Sequence, residues 1–594
     1  MQLNCRPACT ALVAATLATL GGCSAFHMPS MPSMPSLPSM SALNPFSGPA
    51  TPATPPFEVE VLAVNDFHGN LEPTRFAVPD WANPGQSKII QAGGIAALGT
   101  LVTQERAGHA NFVFVGVGDM IGASPLPSAL WRDEPTVDAL NQMGLAFTSV
   151  GNHEFDNGKE ELMRMQRGGC ASNRPQKACH YARKYAGAKF QWLAANVIDE
   201  RMDRQLLPPS VVREFNGVKI GFVAAVLKDT PRVVVPSGVT GLRFEDEADA
   251  INRNVARLKE QGVNSVVALI HQGGETPDSF DTPDCSTLRG DIVNITKRLD
   301  PAVVAVLSAH THQGYTCVVN GRSVSQAGAY GHLATRLLLQ VDKASQTVIS
   351  AKATNLVVDP AALPADPAMN KILERVHSIS EPVIKQPVAR LAVEQLTLTT
   401  PNGDEKGSGE SALGDVVADA QLAATRSFGA QIAFTNRGGI RLPLPDRPNP
   451  NKSVSWGDVA ASQPFNNTLQ VMTLSGAQLK TLLEQQWAHN NDAHFVLQVS
   501  QGFSYRWKAS APVGQRVEAM MFEGKPVQPS GSYRVAVNNF LGEGGDGFTV
   551  LRDASNRLSP GVLDSDALAD YLRAEADAGR PVGSGLPAGR IVRQ

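Results

Sequence analysis

Five apolar runs in the first part of the chain each end in a side chain able to bind a cation. FEVEVLAVND runs into Asp66 and then His68, ANFVFVGVGD ends at Asp119, LAFTSVGNH at Asn152 and His153, NSVVALIH at His271, and AVVAVLSAHTH at His310 and His312. Runs rich in Val, Ile, Leu and Phe that close on glycine or polar residues read as buried strands. The segments between several of them, such as EADAINRNVARLKEQG at 247–262, have helical spacing. Strands alternating with helices build an α/β sheet, and such sheets bind ligands outside the carboxyl ends of their strands. One histidine at a strand end is ordinarily a capped or solvated residue; five strand ends carrying ligand-type groups point to one shared site.

Leaving His153 aside, the set comprises the carboxylates Asp66 and Asp119, the amide Asn152 and the imidazoles His68, His271, His310 and His312. Such a mixture suits Zn, Mn, Co or Fe better than calcium. It is too large for a single tetrahedral site. Two divalent ions sharing Asp119 use all seven groups and leave open positions for water and substrate.

At 594 residues, with 43% hydrophobic and 18% charged residues, the chain is too long for one core, and two domains are expected. A net charge of -3 and a pI near 6.5 exclude the basic footprint of a protein that wraps a nucleic-acid polymer, while leaving small anionic ligands open. Residues 1–23 read as a targeting segment: Arg6, an apolar stretch from Ala8 to Leu20, then LGGC. The stretch is shorter than the roughly 20 residues of a spanning helix. The cysteine after small residues resembles the lipobox of bacterial lipoproteins, which implies that Cys23 carries a lipid anchor to a membrane. Ser24, rather than aspartate, follows it and points to the outer membrane. Residues 24–56 repeat Met-Pro-Ser and stay rich in proline, which removes donors and fixes φ, so an extended tether is expected. At about 3.1 Å per residue it reaches on the order of 100 Å.

Four cysteines remain outside the targeting segment: Cys170, Cys179, Cys285 and Cys317. Export favours disulfides. Three pairings are possible, and near neighbours close the cheaper loops, so Cys170 with Cys179 and Cys285 with Cys317 are expected. The absence of a CxxC pair argues against a structural zinc knuckle.

Asp66-x-His68, Gly118-Asp119, Gly151-Asn152-His153-Glu154, His271 and His310-x-His312, in that order over most of residues 57–340, resemble the calcineurin-like metallophosphoesterases, specifically the bacterial 5'-nucleotidase and UDP-sugar hydrolase branch. The resemblance implies a four-layer αββα sandwich over 57–362. It implies one ion on Asp66, His68, Asp119 and His312, and a second on Asp119, Asn152, His271 and His310; Mg joins the candidate metals on this ground. It further implies that His153 is no ligand but donates to a phosphoryl oxygen or leaving group, with Asp156 holding and charging its ring. An imidazole beside two dications loses its proton unless a carboxylate holds it, and Asp156, three residues on, is near enough in a turn. Glu154 reads as a structural loop contact. A dimetal pair lowers the pKa of bound water, so hydroxide can attack phosphorus in line.

DPAMNKILERVHSIS at 366–380 predicts a helix capped by Asp366 with Pro367 at its first position, within an interdomain linker at 363–386. A smaller α/β domain is expected over 387–594. It opens on SGESALGDVVADAQLAA, read as an amphipathic helix, and carries TNRGGIR (435–441), SQPFNNTL (462–469) and NNFLGEGGDGF (538–548). Phe465 and Phe540 sit in polar, loop-like surroundings where two aromatics can sandwich a flat base while Asp546 and Asn436 read its edge or the sugar hydroxyls. Glycines such as Gly439 let backbone approach a ligand. These phrases resemble the 5'-nucleotidase C-terminal domain and its phenylalanine clamp. The resemblance implies substrate contacts from Asn436, Arg437, Gly439, Arg441, Phe465, Phe540 and Asp546. The stretch before Glu410 lacks the arginines common in relatives; Lys406 is the cation nearby, and Arg437 is a candidate replacement.

The function implied is an exported, lipid-anchored enzyme on the periplasmic side that hydrolyses nucleoside 5'-monophosphates, with UDP-sugars or NAD as diphosphate substrates. With metals on one domain and clamp on the other, a substrate bridges the cleft. The alternatives are a 2',3'-cyclic-nucleotide 2'-phosphodiesterase/3'-nucleotidase, a thiosulfate-releasing hydrolase, against which the phenylalanine pair counts, and an inactive nucleotide-binding lipoprotein, against which the complete ligand set counts. The sequence leaves the oligomeric state open.

Overall fold

A computed structural model describes residues 55–594 apart from 84, 176, 235, 399–406, 408, 466 and 489–495; the targeting segment with Cys23, the tether up to residue 54 and Lys406 lie outside the described residues. The five apolar runs become parallel strands in two six-stranded sheets. In the first, Phe57–Val64, Phe112–Val117, Phe147–Ser149 and Gln191–Leu193 run parallel, and Leu333–Asp342 and Thr347–Val357 extend them antiparallel. In the second, Val218–Val226, Ser265–His271, Val303–Ser308 and Arg322–Ala327 run parallel between antiparallel edges Ser210–Phe215 and Gly314–Val319.

Both faces of these strands are covered, which is why they read as continuous apolar runs instead of alternating ones. Val59, Val61 and Ala63 pack between the sheets against Phe222, Val267 and Leu307. Leu62 and Val64 face outward beneath the helices Ile95–Gly108 and Glu134–Met143. On the far side, Glu247–Glu260 and Asp291–Arg298 bury Ile251, Val255, Leu258, Ile292 and Ile295 against the second sheet. Helix, sheet, sheet and helix give the expected four layers, with all five ligand-bearing strand ends at the same edge.

The helix Pro367–Ile384 starts as its sequence indicates: the Asp366 side chain accepts from the N–H groups of Ala368 and Met369, at 2.8 and 3.2 Å. It packs onto the first sandwich, burying Met369, Ile372 and Val376 in the outer helical layer. The following part of the chain forms a five-stranded mixed sheet in the order Gln498–Val499, Ile432–Thr435, Ser532–Asn538, Leu469–Ser475, Ser555–Leu558. Its first long helix, Ala412–Thr425, differs from the amphipathic expectation. Nearly every residue is buried, Asp415 and Asp419 included. Arg590 answers both acids, with Nη2 at 2.8 Å from Asp419 Oδ2 and Nε at 3.8 Å from Asp415 Oδ2, while the Ala588 N–H donates to Asp415. Among the described residues no helix is long and apolar enough to cross a membrane.

Cys170 bonds to Cys179 and Cys285 to Cys317, the pairing expected from proximity. The first disulfide closes the loop leaving helix Lys159–Arg167, and that loop rests on a buried ionic cluster. Arg164 donates to Glu134 Oε1 and Glu161 Oε1, each at 2.9 Å, and to the Gly169 carbonyl at 3.0 Å. Glu134 in turn accepts from the Cys179 N–H at 2.9 Å. Removing one member of such a cluster leaves a buried charge without its partner. Arg164→Ala is therefore expected to destabilise the protein by roughly 3–5 kcal/mol, read as a lowered midpoint of thermal unfolding; an unchanged midpoint would refute the cluster's role.

Candidate metal centre

The loops after the ligand-bearing strands stay tied together. Asp66 N–H donates to the Gly118 carbonyl at 3.0 Å and His68 N–H to the Asp119 carbonyl at 2.9 Å. Five of the expected ligands hold the left-handed backbone conformation: Asp66 (φ 46°), His68 (45°), Asp119 (49°), His310 (74°) and His312 (57°). Such conformations are uncommon without glycine and cost on the order of 1–3 kcal/mol each, so they persist where surrounding contacts over-determine them. Two glycines make room for this crowding. A Cβ on Gly118 (φ +81°) would lie 2.5 Å from His271 Nδ1, and one on Gly151 would collide with Asp119 Oδ1.

The ligand atoms gather into two groups, Asp66 with His68 and His312, and Asp119 with His271 and His310, each within 4.8 Å. Asp119 lies between them: its Oδ2 is 3.1 Å from His271 Nε2 and 3.7 Å from His68 Nε2. Asn152 Oδ1 sits 3.2 Å from His271 Nε2. The tautomers follow from the backbone. His68 Nδ1 meets the Gly122 carbonyl and His271 Nδ1 the Val117 carbonyl, both at 2.8 Å, so those nitrogens carry the protons and each Nε2 offers a lone pair to the site. There His68 Nε2 faces His312 Nε2 at 3.2 Å, and His271 Nε2 faces only acceptors. Burial opposes a charge on His271, but the Asp119 and Asp66 carboxylates outweigh it and raise its pKa to about 9, so a divalent cation in that group takes the place of the Nε2 proton, and the two groups together suit one cation each.

The carboxylates are prepared for that charge. Burial opposes ionisation of Asp66 and Asp119, but His312 and His271 beside them hold both below the ordinary carboxylate range. Asp66 accepts the His310 N–H at 2.9 Å and the Asn65 amide at 2.7 Å, and Asp119 accepts the His153 N–H at 2.8 Å. Asn65 also donates to the Gly328 carbonyl, so it aims Asp66 from behind. Glu154 joins two motifs: its carboxylate accepts from the N–H groups of Asp119 (2.9 Å), Met120 (2.8 Å), Ile121 (3.2 Å) and Gly151 (2.5 Å).

His153 stands beside the cradles, with Nδ1 2.8 Å from Asp156 Oδ2. Burial works against its charge, but the Asp156 and Asp119 carboxylates outweigh burial and raise its pKa to about 9. Phe465, from the second part of the chain, stacks on this ring with centroids 5.8 Å apart and planes at 21°. The Arg441 guanidinium lies over Phe465 at 5.7 Å, and its Nη2 is 3.5 Å from the Tyr330 hydroxyl. Tyr330 packs against both His68 and His312, a neighbour not singled out from the sequence.

His153, Asp156, Asn436, Gly439, Arg441, Phe465, Phe540 and Asp546 line one cavity of about 530 Å³, in the size range of small-ligand sites. Within it Asn436 donates to Asp546 Oδ2 at 2.8 Å and accepts from Asn538 at 3.0 Å, so it braces Asp546. Arg437 is not among the lining residues; its Nη1 donates to the Ile440 carbonyl at 3.0 Å.

Residues 59–314 match the family model of the calcineurin-like phosphoesterases, and residues 387–553 match that of the 5'-nucleotidase C-terminal domain. The cell wall protein Lmo0130 of Listeria monocytogenes is 30% identical over 539 residues, covering 88% of this chain and 68% of that one. Endonuclease YhcR of Bacillus subtilis is 28% identical over 483 residues, 81% of this chain; the match spans only 37% of that protein's length. Among solved structures, a 5'-nucleotidase precursor from Thermus thermophilus superposes with a TM-score of 0.69 at 27% identity, covering 90% of this chain and 99% of that one.

Because Glu154 holds the loops that carry Asp119 and Asn152, Glu154→Ala should lower the affinity for at least one divalent ion by about 10–100-fold. Titrating metal-free protein with Mn or Zn checks this; wild-type affinity for two ions would exclude the clamp.

Proposed function

The chain belongs to the calcineurin-like phosphoesterases that carry a 5'-nucleotidase C-terminal domain, and from that membership we propose that it is an exported phosphohydrolase that removes the phosphate of nucleoside 5'-monophosphates. The observation that carries the reading is the His153 and Asp156 pair, 2.8 Å apart, set between two cation cradles and an aromatic ring from the second part of the chain. The two expected domains are 57–362 and 387–594, joined by 363–386.

One ion would be held by Asp66, His68, Asp119 and His312 and the other by Asp119, Asn152, His271 and His310. Two divalent cations so placed supply Lewis acidity and a water of lowered pKa. The protein's own groups do the rest. With Nδ1 engaged by Asp156, His153 keeps its Nε2 proton for a phosphoryl oxygen or the leaving 5'-oxygen. Arg441 faces the same space and offers a fixed guanidinium to the phosphate. Phe465 and Phe540 take the base between them, and Asp546, braced by Asn436, takes sugar hydroxyls. Carrying Arg441 over Phe465 couples recognition of the base to placement of the phosphate. Export is supported by the two disulfides and the lipobox-like Cys23, which would tether the enzyme to a membrane.

Protein produced from residue 57 onward and loaded with Mn or Zn is expected to release phosphate from AMP and UMP faster than from 3'-AMP, 2',3'-cyclic AMP, UDP-glucose or NAD. Failure on all six with two ions bound would overturn the reading, and preference for the cyclic or 3'-substrates would move it to the phosphodiesterase branch. His153→Ala should lower kcat by about 10² or more with both ions retained; single-turnover assays at measured metal occupancy decide it, and wild-type turnover would remove His153 from the chemistry.

A further inference from the structure

The strand that delivers Asp66 carries, nearer its start, a carboxylate where its neighbours on the same face are apolar. Alternate residues of Phe57–Val64 turn to the helical layer, and Leu62 and Val64 pack there in the core. Glu60 takes the same face and is 0% exposed. Neither of its side-chain oxygens has a well-directed hydrogen-bond donor among the described residues. A carboxylate so placed is costly unless other charge answers it.

The groups aimed at it come from the helix Ile95–Gly108, whose last turn sets Glu105 and His109 four residues apart and so on one face. One ligand-type atom each from Glu60, Glu105 and His109 lies within 4.8 Å of the other two. His109 Nδ1 rests against Glu60 Oε2 and is 3.1 Å from the Glu105 carbonyl oxygen, while its Nε2 is 3.5 Å from Glu58 Oε1. Glu58 is otherwise held by Gln340, whose Nε2 donates to it at 3.1 Å. Arg336 reaches Glu105 Oε2 only at 3.5 Å, and its buried Nε has no hydrogen-bond partner among the described residues.

Three carboxylates, Glu58, Glu60 and Glu105, therefore share the guanidinium of Arg336 and the imidazole of His109. Burial, then the neighbouring Glu105, raises the Glu60 pKa to about 8, so without a cation these two carboxylates share a proton. A divalent cation balances the charge in another way: with His109 neutral, its two charges and that of Arg336 equal those of the three carboxylates. Glu60 lies four residues back from the strand end at Val64, about 13 Å along the strand. The cluster is thus separate from the cradles built on Asp66 and Asp119.

We propose that Glu60, Glu105 and His109 bind a further divalent cation, of the Zn or Mn type, which pins the last turn of the helix Ile95–Gly108 to the first strand. Two carboxylates and an imidazole suit such an ion better than calcium. Glu105 and His109 are only half-buried, which leaves an entry path and room for water in the remaining coordination positions. Binding displaces the proton shared by Glu60 and Glu105 and any proton on the coordinating nitrogen of His109. None of these groups reaches the hydrolytic cradles, so the site stands or falls independently of the phosphohydrolase reading.

The test counts ions bound per chain after the metal-free full chain is dialysed to equilibrium against Zn or Mn, in wild type, Glu60→Gln and His109→Gln. Wild type is expected to bind one ion more than either variant, with the affinity for that ion about 100-fold or more lower in the variants, at least the loss that removing an outer partner of a ligand causes. Its uptake at pH 7 should release at least one proton, measured by calorimetry in two buffers of different ionisation enthalpy. His109→Gln, altered at a half-exposed position, decides the matter should Glu60→Gln fail to fold. An ion number and affinity in His109→Gln equal to wild type overturn the site and leave Glu60 and Glu105 as a proton-sharing pair. Because no substrate enters the measurement, that result leaves the phosphohydrolase reading intact, and loss of the latter leaves this site intact.

Discussion

Two carboxylates, Asp66 and Asp119, are ionised where water scarcely reaches, at 0% and 1% exposure, and the architecture around them answers that constraint. A bare carboxylate in such surroundings protonates or draws in compensating charge. Here compensation arrives from chain segments far apart in sequence. The His310 N–H reaches Asp66 and the His153 N–H reaches Asp119, so each backbone donor belongs to a loop that also delivers an imidazole. The left-handed backbone at five ligand positions follows from the same demand. A strand running straight on would carry these side chains past one another; turning sharply at its end presents them to a common point.

That convergence requires the strand ends to be level, and the sheet core ensures it. Val64 pairs with Gly116 and Val117 with Ser149 in register, while on the second sheet Ile270 pairs with Ser308. The residues between the sheets are apolar and buried, so a slip of one residue would turn core side chains to the wrong face. Hydrophobic register therefore sets the geometry of a polar site. The site in turn stores strain that the core must hold.

The parts of this organisation that could be read from sequence are those written locally. A buried parallel strand shows as an uninterrupted apolar run, and its end shows as the first polar residue after it; hence Asp66, Asp119, His271 and His310 stood out. Asp366 and Pro367 marked a helix start for equally local reasons. What could not be read depends on partners distant in the chain. Glu154 lies inside a conspicuous motif, yet its role comes from the N–H groups of Met120 and Ile121, 34 and 33 residues earlier. The helix 412–425 had the composition of an amphipathic surface helix, and its acids turn inward to meet Arg590 together with the N–H groups of Ala588 and Gln501. Arg437 and Arg441 looked alike in sequence, but one spends its guanidinium on a nearby carbonyl while the other reaches Phe465 and Tyr330.

The cation cradles and the second part of the chain meet where Phe465 stacks on His153 and Arg441 reaches the Tyr330 hydroxyl. The ion cradles, His153 and Asp156 come from loops locked by the sandwich, where a displacement of a fraction of an ångström would disturb several donors at once. Phe465, Phe540 and Asp546 come from elements that share no backbone hydrogen-bond ladder with the two six-stranded sheets. The loop closed by Cys170 and Cys179 is a third element, attached to the catalytic turn through Asn157 and Asn173 without touching a ligand residue's backbone. The cation cradles are therefore constrained by hydrogen bonds arriving from several loops at once.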